Sequence, residues 1–430
     1  MPNHNSKIFC AHHLLTNSHR LALLARHIYL TMRNTVARKL SKACVPRRKL
    51  SPSVHHGGIF FRRSQYFFIF SVFLGQVSGC AETGKNGLLS GPSSGNQPTI
   101  YEPLGKNGMP DSKDLAEKKQ QFIQATALQY GFAANDLESI LDNAVFQPSI
   151  YNAMQQPAEK TKTWDAYRAQ FITTKRIEAG QRFLEENSAT LHQVESKTGV
   201  PAEIIAAIIG VETSYGANTG RYRVLDALYT LAFAYPMHID PILRTKDQAR
   251  EKYFSSELAQ FIVLCRQEQL PITKITGSYA GAMGMGQFMP SSYLQYAVDG
   301  DNDGHRDMFS NSADVIASVG NYLKVKGKWM QGGLIAVPAI LAPGYQALDF
   351  NPSGPQYTLA ALKTKGYTPQ SAINDSAMAS PIHLTGDIGQ KDWLVFQNFY
   401  AILRYNSSPL YAMAVFGLAQ AIAGYPVTNL

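Results

Sequence analysis

Glu212 stands where a carboxyl group is hard to ionise. Read as a helix opened by Pro201, the run Ala-Glu-Ile-Ile-Ala-Ala-Ile-Ile-Gly-Val-Glu places Ile209, Ile208 and Ile205 three, four and seven positions before it. Its side chain then shares a face with three isoleucines, where a carboxylate is poorly solvated. It also falls in the last turn, beside the negative end of the helix dipole. Both effects push its pKa upward, as a general acid working near neutrality requires. A structural glutamate paired with an arginine is the competing reading.

A second element is Ser278-Tyr279-Ala280-Gly281-Ala282-Met283-Gly284-Met285-Gly286-Gln287-Phe288-Met289-Pro290. Its glycines and alanines let other groups approach the backbone closely, and it then offers one amide, Gln287, and one ring, Phe288. Phosphate binding is disfavoured, because no Gly-Lys-Ser/Thr follows and the Rossmann spacing is absent. Amides and aromatic faces suit a polysaccharide; tight helix packing is the alternative. A third element, Asp299-Gly300-Asp301-Asn302-Asp303-Gly304-His305, matches the first half of an EF-hand loop. It has oxygens at positions 1, 3 and 5, glycine at 6 and a backbone carbonyl expected at 7. Position 12 is Ser310 where a bidentate glutamate belongs, and Asp314 is placed to supply that ligand from a longer loop. A solvated Asx turn is the alternative to calcium, and Asp307 is a weaker candidate ligand.

The elements that position these residues are helical. Apolar spacing predicts helix within 114–145, a long helical stretch within 164–197, a helix from 201 with Gly216 as its stop, and helices over 225–233 and 255–268. Residues 333–390 hold six prolines and short apolar runs such as Leu334-Ile335-Ala336-Val337 and Pro381-Ile382-His383-Leu384. They read as a small, partly β insertion. Helix is expected again at 391–404 and 410–423.

Of 430 residues, 45% are hydrophobic and 17% charged, which excludes a multi-span membrane protein. The net charge of +9 is misleading. Residues 1–80 hold 12 of the 40 Lys and Arg and no acidic residue, leaving 28 basic against 31 acidic residues and a net −3 in the remainder. A broad basic face for nucleic acid is therefore not expected. Cys265 is the lone cysteine of the body, so neither a disulfide framework nor a cysteine zinc site can be built.

The basic leader has an apolar run at 67–77 after Arg62-Arg63, ending in Val77-Ser78-Gly79-Cys80. The run has the length of a signal-peptide core and is too short to span a bilayer. The ending resembles the lipobox of bacterial lipoproteins, with Cys80 as the lipidated residue; an ordinary signal peptide is the alternative. About 60 residues precede the run, far more than a usual n-region, which points to a start assigned too far upstream. The division expected is leader 1–79, flexible tether 80–112, α domain 113–198, catalytic core 199–328, β-containing subdomain 329–390 and returning helices 391–430.

In this order the three elements resemble the membrane-bound lytic murein transglycosylase B family. The resemblance covers roughly 114–424. It rests on Ile-Ile-Gly-Val-Glu-Thr with Tyr215-Gly216, on Ser278 through Tyr293, on the Asp-rich loop, and on Arg404-Tyr405-Asn406 with Tyr411-Ala412-Met413-Ala414-Val415. It implies a mainly α (α+β) fold: a lysozyme-like helical core with an N-terminal α domain and a small β insertion. It implies cleavage of the β-1,4 bond between N-acetylmuramic acid and N-acetylglucosamine of peptidoglycan, without water, leaving a 1,6-anhydromuramoyl end. The catalytic glutamate matches Glu212. Substrate-contacting positions match Ser278, Gln287, Phe288, Tyr322, Tyr405, Asn406 and Tyr411, with Tyr167 by spacing. Calcium ligands match Asp299, Asp301, Asp303, His305 and Asp314, a structural Ca2+ with no organic cofactor. The implied setting is the outer membrane facing the periplasm, since residue 81 is Ala and not the Asp of inner-membrane lipoproteins, with other cell-wall enzymes as further partners.

Two departures stand out. The loop before Asp314 is one residue longer than the family pattern. Residues 236–252 replace a short turn carrying an arginine pair, and Arg250 is the residue placed to take over one arginine's role near the peptide stem. Two rival activities are an inverting muramidase, which needs a second carboxylate holding a water, and a non-catalytic wall-binding protein, which would not need Glu212.

Overall fold

The computed structural model describes residues 100–105, 108–155 and 162–426. The leader, Cys80 and most of the tether lie outside them. Six helices come first: Ser112–Tyr130, Ala134–Asp142, Pro148–Gln155, Trp164–Arg168, Thr174–Glu186 and Ser188–Thr198. Ala202–Thr213, Val224–Phe233, Pro241–Gln267, Pro290–Tyr296 and Ser312–Val325 follow, and Gln397–Leu403 and Pro409–Ile422 close the chain. Among the described residues no helix is long and apolar enough to cross a membrane.

Local chemistry sets the boundaries. Gly131 ends the first helix in a left-handed conformation (φ 65°), dividing the stretch predicted over 114–145. Asn187 (φ −111°, ψ 19°) breaks the long stretch expected within 164–197. Pro201 caps Ala202–Thr213 from just outside, and the helix stops at Ser214, already left-handed, two residues before the expected Gly216. The helix expected over 255–268 instead starts at Pro241. Asp240 accepts from the amides of Ile242 and Leu243, and proline fits the first helical position. The departing segment 236–252 is thus largely the opening of a 27-residue helix.

Ala202–Thr213 is buried on almost every side, as a helix apolar all round must be. Helices Thr174–Glu186, Ser188–Thr198, Ser312–Val325 and Pro409–Ile422 pack around it. Five antiparallel strands form the insertion, ordered Tyr357–Thr358, Met378–Thr385, Gln390–Val395, Ala336–Leu341, Tyr367–Pro369. Residues 391–395, expected to be helical, belong to the central strand Gln390–Val395. Trp393 pairs with Ile382 on one side and Pro338 on the other, and those non-local ladders override local propensity. Trp393 and Val395 point into the main core, while Leu394 and Phe396 meet Leu359 and Leu362 on the opposite face.

The composition of 83–112 suggests a tether throughout, yet the chain docks before 112. Tyr101 bridges to His238, with flanking bonds from Ile239 N to Ile100 O (3.0 Å) and Glu102 N to Met237 O (2.8 Å).

Candidate active site

Glu212 is half-buried at the end of its helix. The phenol of Tyr411, from the helix Pro409–Ile422, donates to Glu212 Oε1 at 2.6 Å. Tyr411 is fully buried, and its hydroxyl is held protonated by that burial and by the nearby charge of Glu212. It can therefore donate to the carboxylate but not accept from the acid as a phenolate. Tyr405 is raised in the same way, by burial first and by Glu212 second. Its hydroxyl donates to Gly286 O at 2.5 Å. Tyr167, 2% exposed, is a further neighbour of the Tyr411 phenol. Asn406 is buried and accepts from Ser408 N (3.0 Å), while Ser408 Oγ accepts from Tyr411 N (3.4 Å). These bonds set the start of the Tyr411 helix.

Two left-handed residues, Ser214 (φ 51°) and Tyr215 (φ 61°), follow the glutamate after Thr213. Such residues persist only where contacts hold them. Arg176 donates to Ser214 Oγ (2.8 Å), and the half-buried Tyr215 ring packs into the gap left by Gly180 and Gly210. Thr213, quoted in the motif but given no task by sequence reasoning, pins the helix end. Its Oγ1 donates to Met285 O (2.8 Å) and accepts from Gly216 N (3.0 Å). Its position next to Glu212 was the available signal.

The glycine-rich segment is a stack of tight turns, and at Gly281 it also packs closely on Leu228 of the helix Val224–Phe233. Met283 and Phe288 exchange both backbone bonds at 3.0 Å. Gly284 is left-handed, and a Cβ there would lie 2.4 Å from Met308 O, so glycine is required. Ser278 is fully buried and accepts from the amides of Ala280 (3.3 Å) and Ala282 (3.0 Å), so in this structure its hydroxyl builds the loop. Gln287, itself left-handed, spends its amide N–H groups on Thr219 O and Gly284 O, both at 3.0 Å. Phe288 is 2% exposed, wedged between Tyr322 and Tyr405 at ring separations of 5.5 and 5.8 Å. Its ring props those tyrosines and offers no open face. Tyr322 donates to Arg404 O at 2.5 Å. Arg250 lies with its guanidinium over Tyr235 (5.5 Å) and near Tyr279, and burial lowers its pKa.

Of the five candidate calcium ligands, Asp299, Asp301 and Asp303 are brought together, each offering an oxygen within 4.8 Å of the others. That spread fits one ion with ligand bonds of about 2.3–2.6 Å. Burial raises the pKa of Asp299, but the amides of Gly304, Asn302 and Asp303 outweigh it and hold the carboxylate ionised. Asp314 is buried and closes the loop from beneath, accepting from Gly300 N (2.7 Å) and Asp307 N (2.6 Å). Burial, then the charges of Asp301 and Asp299, raise its pKa. His305 is exposed, and its amide donates to Asp303 Oδ1 (2.8 Å). Met285 N donates to Met308 O (2.8 Å), which joins this loop to the glycine-rich turns and so to Thr213.

A glutamate held by a buried tyrosine, in a helical core lined by glycine-rich turns and tyrosines, defines a class. Residues 114–420 match the transglycosylase SLT domain family, and the chain belongs to it. It is 40% identical over 316 residues to the membrane-bound lytic murein transglycosylase B of Escherichia coli K12, covering 71% of this chain and 82% of that protein. The E. coli lytic transglycosylase Slt35, solved in complex with calcium, is 37% identical with a TM-score of 0.63, covering 76% of this chain and 97% of that one. SltB3 of Pseudomonas aeruginosa, in complex with NAG-anhNAM-pentapeptide, is 28% identical with a TM-score of 0.61, over 72% and 80% of the two chains. The helix-rich fold with small sheets is the fold of these enzymes, and the protein is a lytic transglycosylase acting on peptidoglycan.

Proposed function

We propose that Glu212 alone carries proton transfer in a water-free cleavage of the MurNAc–GlcNAc bond. The observation that supports this is the use made of the other buried carboxyl groups. Asp226 is bound to Arg223 and Val145 N, Asp247 to His238, Glu257 to Ser291, and Asp314 to Gly300 and Asp307. None of these is left to hold a water or act as nucleophile, as a two-carboxylate glycosidase requires. In our reading, protonated Glu212 donates to the leaving glycosidic oxygen. The Tyr411 hydrogen bond strengthens as its carboxylate forms. That carboxylate then takes the proton of the muramoyl C6 hydroxyl, whose oxygen closes onto C1 to give the 1,6-anhydro end. Gln287, Tyr322, Tyr405, Asn406 and Tyr167 frame the glycan; Ser278 and Phe288 act by shaping the wall.

The Asp299–Asp303 loop is read as a structural calcium site completed by the His305 carbonyl, with Asp314 bracing it. The protein is read as anchored through lipidated Cys80 to the outer membrane, facing the periplasm, with the tether ending where the chain docks at Ile100 and the β-containing insertion running through Val395. Digestion of sacculi followed by mass spectrometry tests the activity. Wild type should release anhydro ends, and Glu212→Gln should lose at least the roughly 10²–10⁴-fold that general acid–base catalysis contributes. Reducing ends would establish a muramidase. Activity of Glu212→Gln within about tenfold of wild type would remove Glu212 from the chemistry.

A further inference from the structure

The first turn of the helix Pro241–Gln267 carries apolar residues that the fold does not use. Ile242 is 73% exposed, Leu243 39% and Ile239, just before the cap, 54%. Ile100, 57% exposed, lies directly across from Ile239 in the antiparallel Tyr101–His238 bridge, so both side chains leave the same face. The alternate residues, Tyr101 and His238, turn inward and meet ring to ring at 4.3 Å. The patch is rigidly held: His238 binds Asp247, Arg244 pairs with Glu102, and the Tyr101 hydroxyl reaches Gln155 O. Lys246 is exposed four residues beyond Ile242, on the same helix face. An apolar cluster rimmed by a lysine that can keep its charge in the headgroup layer suits a lipid surface.

We propose that Ile100, Ile239, Ile242 and Leu243 form a docking face for the bilayer that holds the lipid anchor. This rests on the reading of Cys80 as the acylated residue. One feature favours lipid over a second copy or another protein: the tether enters the fold inside this patch. Nineteen residues lie between Cys80 and Ile100. A Gly/Ser-rich chain of that length would have an r.m.s. span of about 25 Å, which keeps the patch at its end near the membrane. Short flexible linkers give effective concentrations in the millimolar range, enough to populate a contact too weak to hold the free protein. Docking would fix orientation. The same helix leads from Ile242 to Arg250, about 12 Å along its axis, where Arg250 meets the Tyr279 side of the glycine-rich turns.

The test uses the mature acylated protein in phosphatidylethanolamine–phosphatidylglycerol vesicles. A spin label is placed at Lys246→Cys or at Ile388→Cys, each with Cys265→Ala. Ile388, 95% exposed on the strand turn of the insertion, is the reference. Docking requires the oxygen-to-nickel accessibility ratio at 246 to stand severalfold above that at 388, and to fall to the reference value in Ile239→Asp/Ile242→Asp. Those positions are exposed, so the double variant keeps its fold. If the protein sediments with vesicles while both labels remain equally aqueous, the anchor stands and the docking face is refuted. Dipolar broadening between labels, or shielding from both reagents, would mean a protein partner and refute it too. Failure to sediment, with no acyl mass on Cys80, would overturn the anchor and this proposal with it.

Discussion

Replacing Tyr411 by Phe removes one hydroxyl and keeps the ring that fills the core. The lost bond is the 2.6 Å contact to Glu212 Oε1, and because Tyr411 is fully buried no water can take its place. A hydrogen bond to an ionised group contributes about 1.5–3 kcal/mol. In the proposed first step Glu212 passes from acid to carboxylate, so the bond is worth more in the transition state than in the bound ground state. Its loss should fall on kcat, and at about 1.36 kcal/mol per decade the drop is roughly 10- to 150-fold with KM little changed. Initial rates of anhydromuropeptide release at several glycan concentrations separate the two constants, and a melting curve checks the fold. Tyr405→Phe is the control. Its hydroxyl donates to Gly286 O, so that variant should lose about 1–3 kcal/mol of stability with a smaller change in kcat. A kcat loss below about threefold in folded Tyr411→Phe, less than 1 kcal/mol, would refute the reasoning, as would a loss carried by KM.

Calcium should raise the melting temperature of the wild type and leave Asp303→Ala unmoved, because the ion binds a loop assembled only in the fold. The gain is about 2.7 kcal/mol at a hundredfold excess over the dissociation constant. Chelation that stops turnover without shifting the melt would make the ion catalytic. Glu257 is the pH probe. Burial raises its pKa, partly offset by the hydrogen bonds from Ser291 and Tyr253. A carboxyl raised on folding adds stability that is full below its unfolded value of about 4.3 and is lost as pH rises through the folded value. The melting temperature of wild type relative to Glu257→Gln should therefore fall as pH rises through that window; a constant difference would mean that Glu257 does not titrate there.

How much of this was legible depends on how far apart the interacting residues lie in the chain. The isoleucine face behind Glu212 and the Asp-x-Asp-x-Asp-Gly spacing are local, and periodicity alone exposes them. The donor to Glu212 is not local: Tyr411 follows 199 residues later, on a helix whose own sequence says only that it is apolar. Only the family resemblance pointed to it. Phe288 shows the same limit from the other side. Its place after a glycine-rich turn suggested a ring offered to sugar, but Tyr322, from a distant helix, and Tyr405, from the turn after another, enclose it. Residues 391–395 fail as a predicted helix for this reason as well. Gln-Lys-Asp-Trp-Leu-Val does not alternate, and it is pairing with the strands begun at Ala336 and Met378 that makes it a strand.

The opening of the helix at Pro241 was different, because its signal was entirely local. Asp240-Pro241 is a cap followed by proline at the first helical position, and both were visible in the sequence. What hid the helix was its composition. Ile239, Ile242 and Leu243 show no inward period because the fold does not bury them, so a search for a core-facing stripe passes over the first 14 residues. The feature that defeated the periodicity reading is the one that marks a surface facing something other than water.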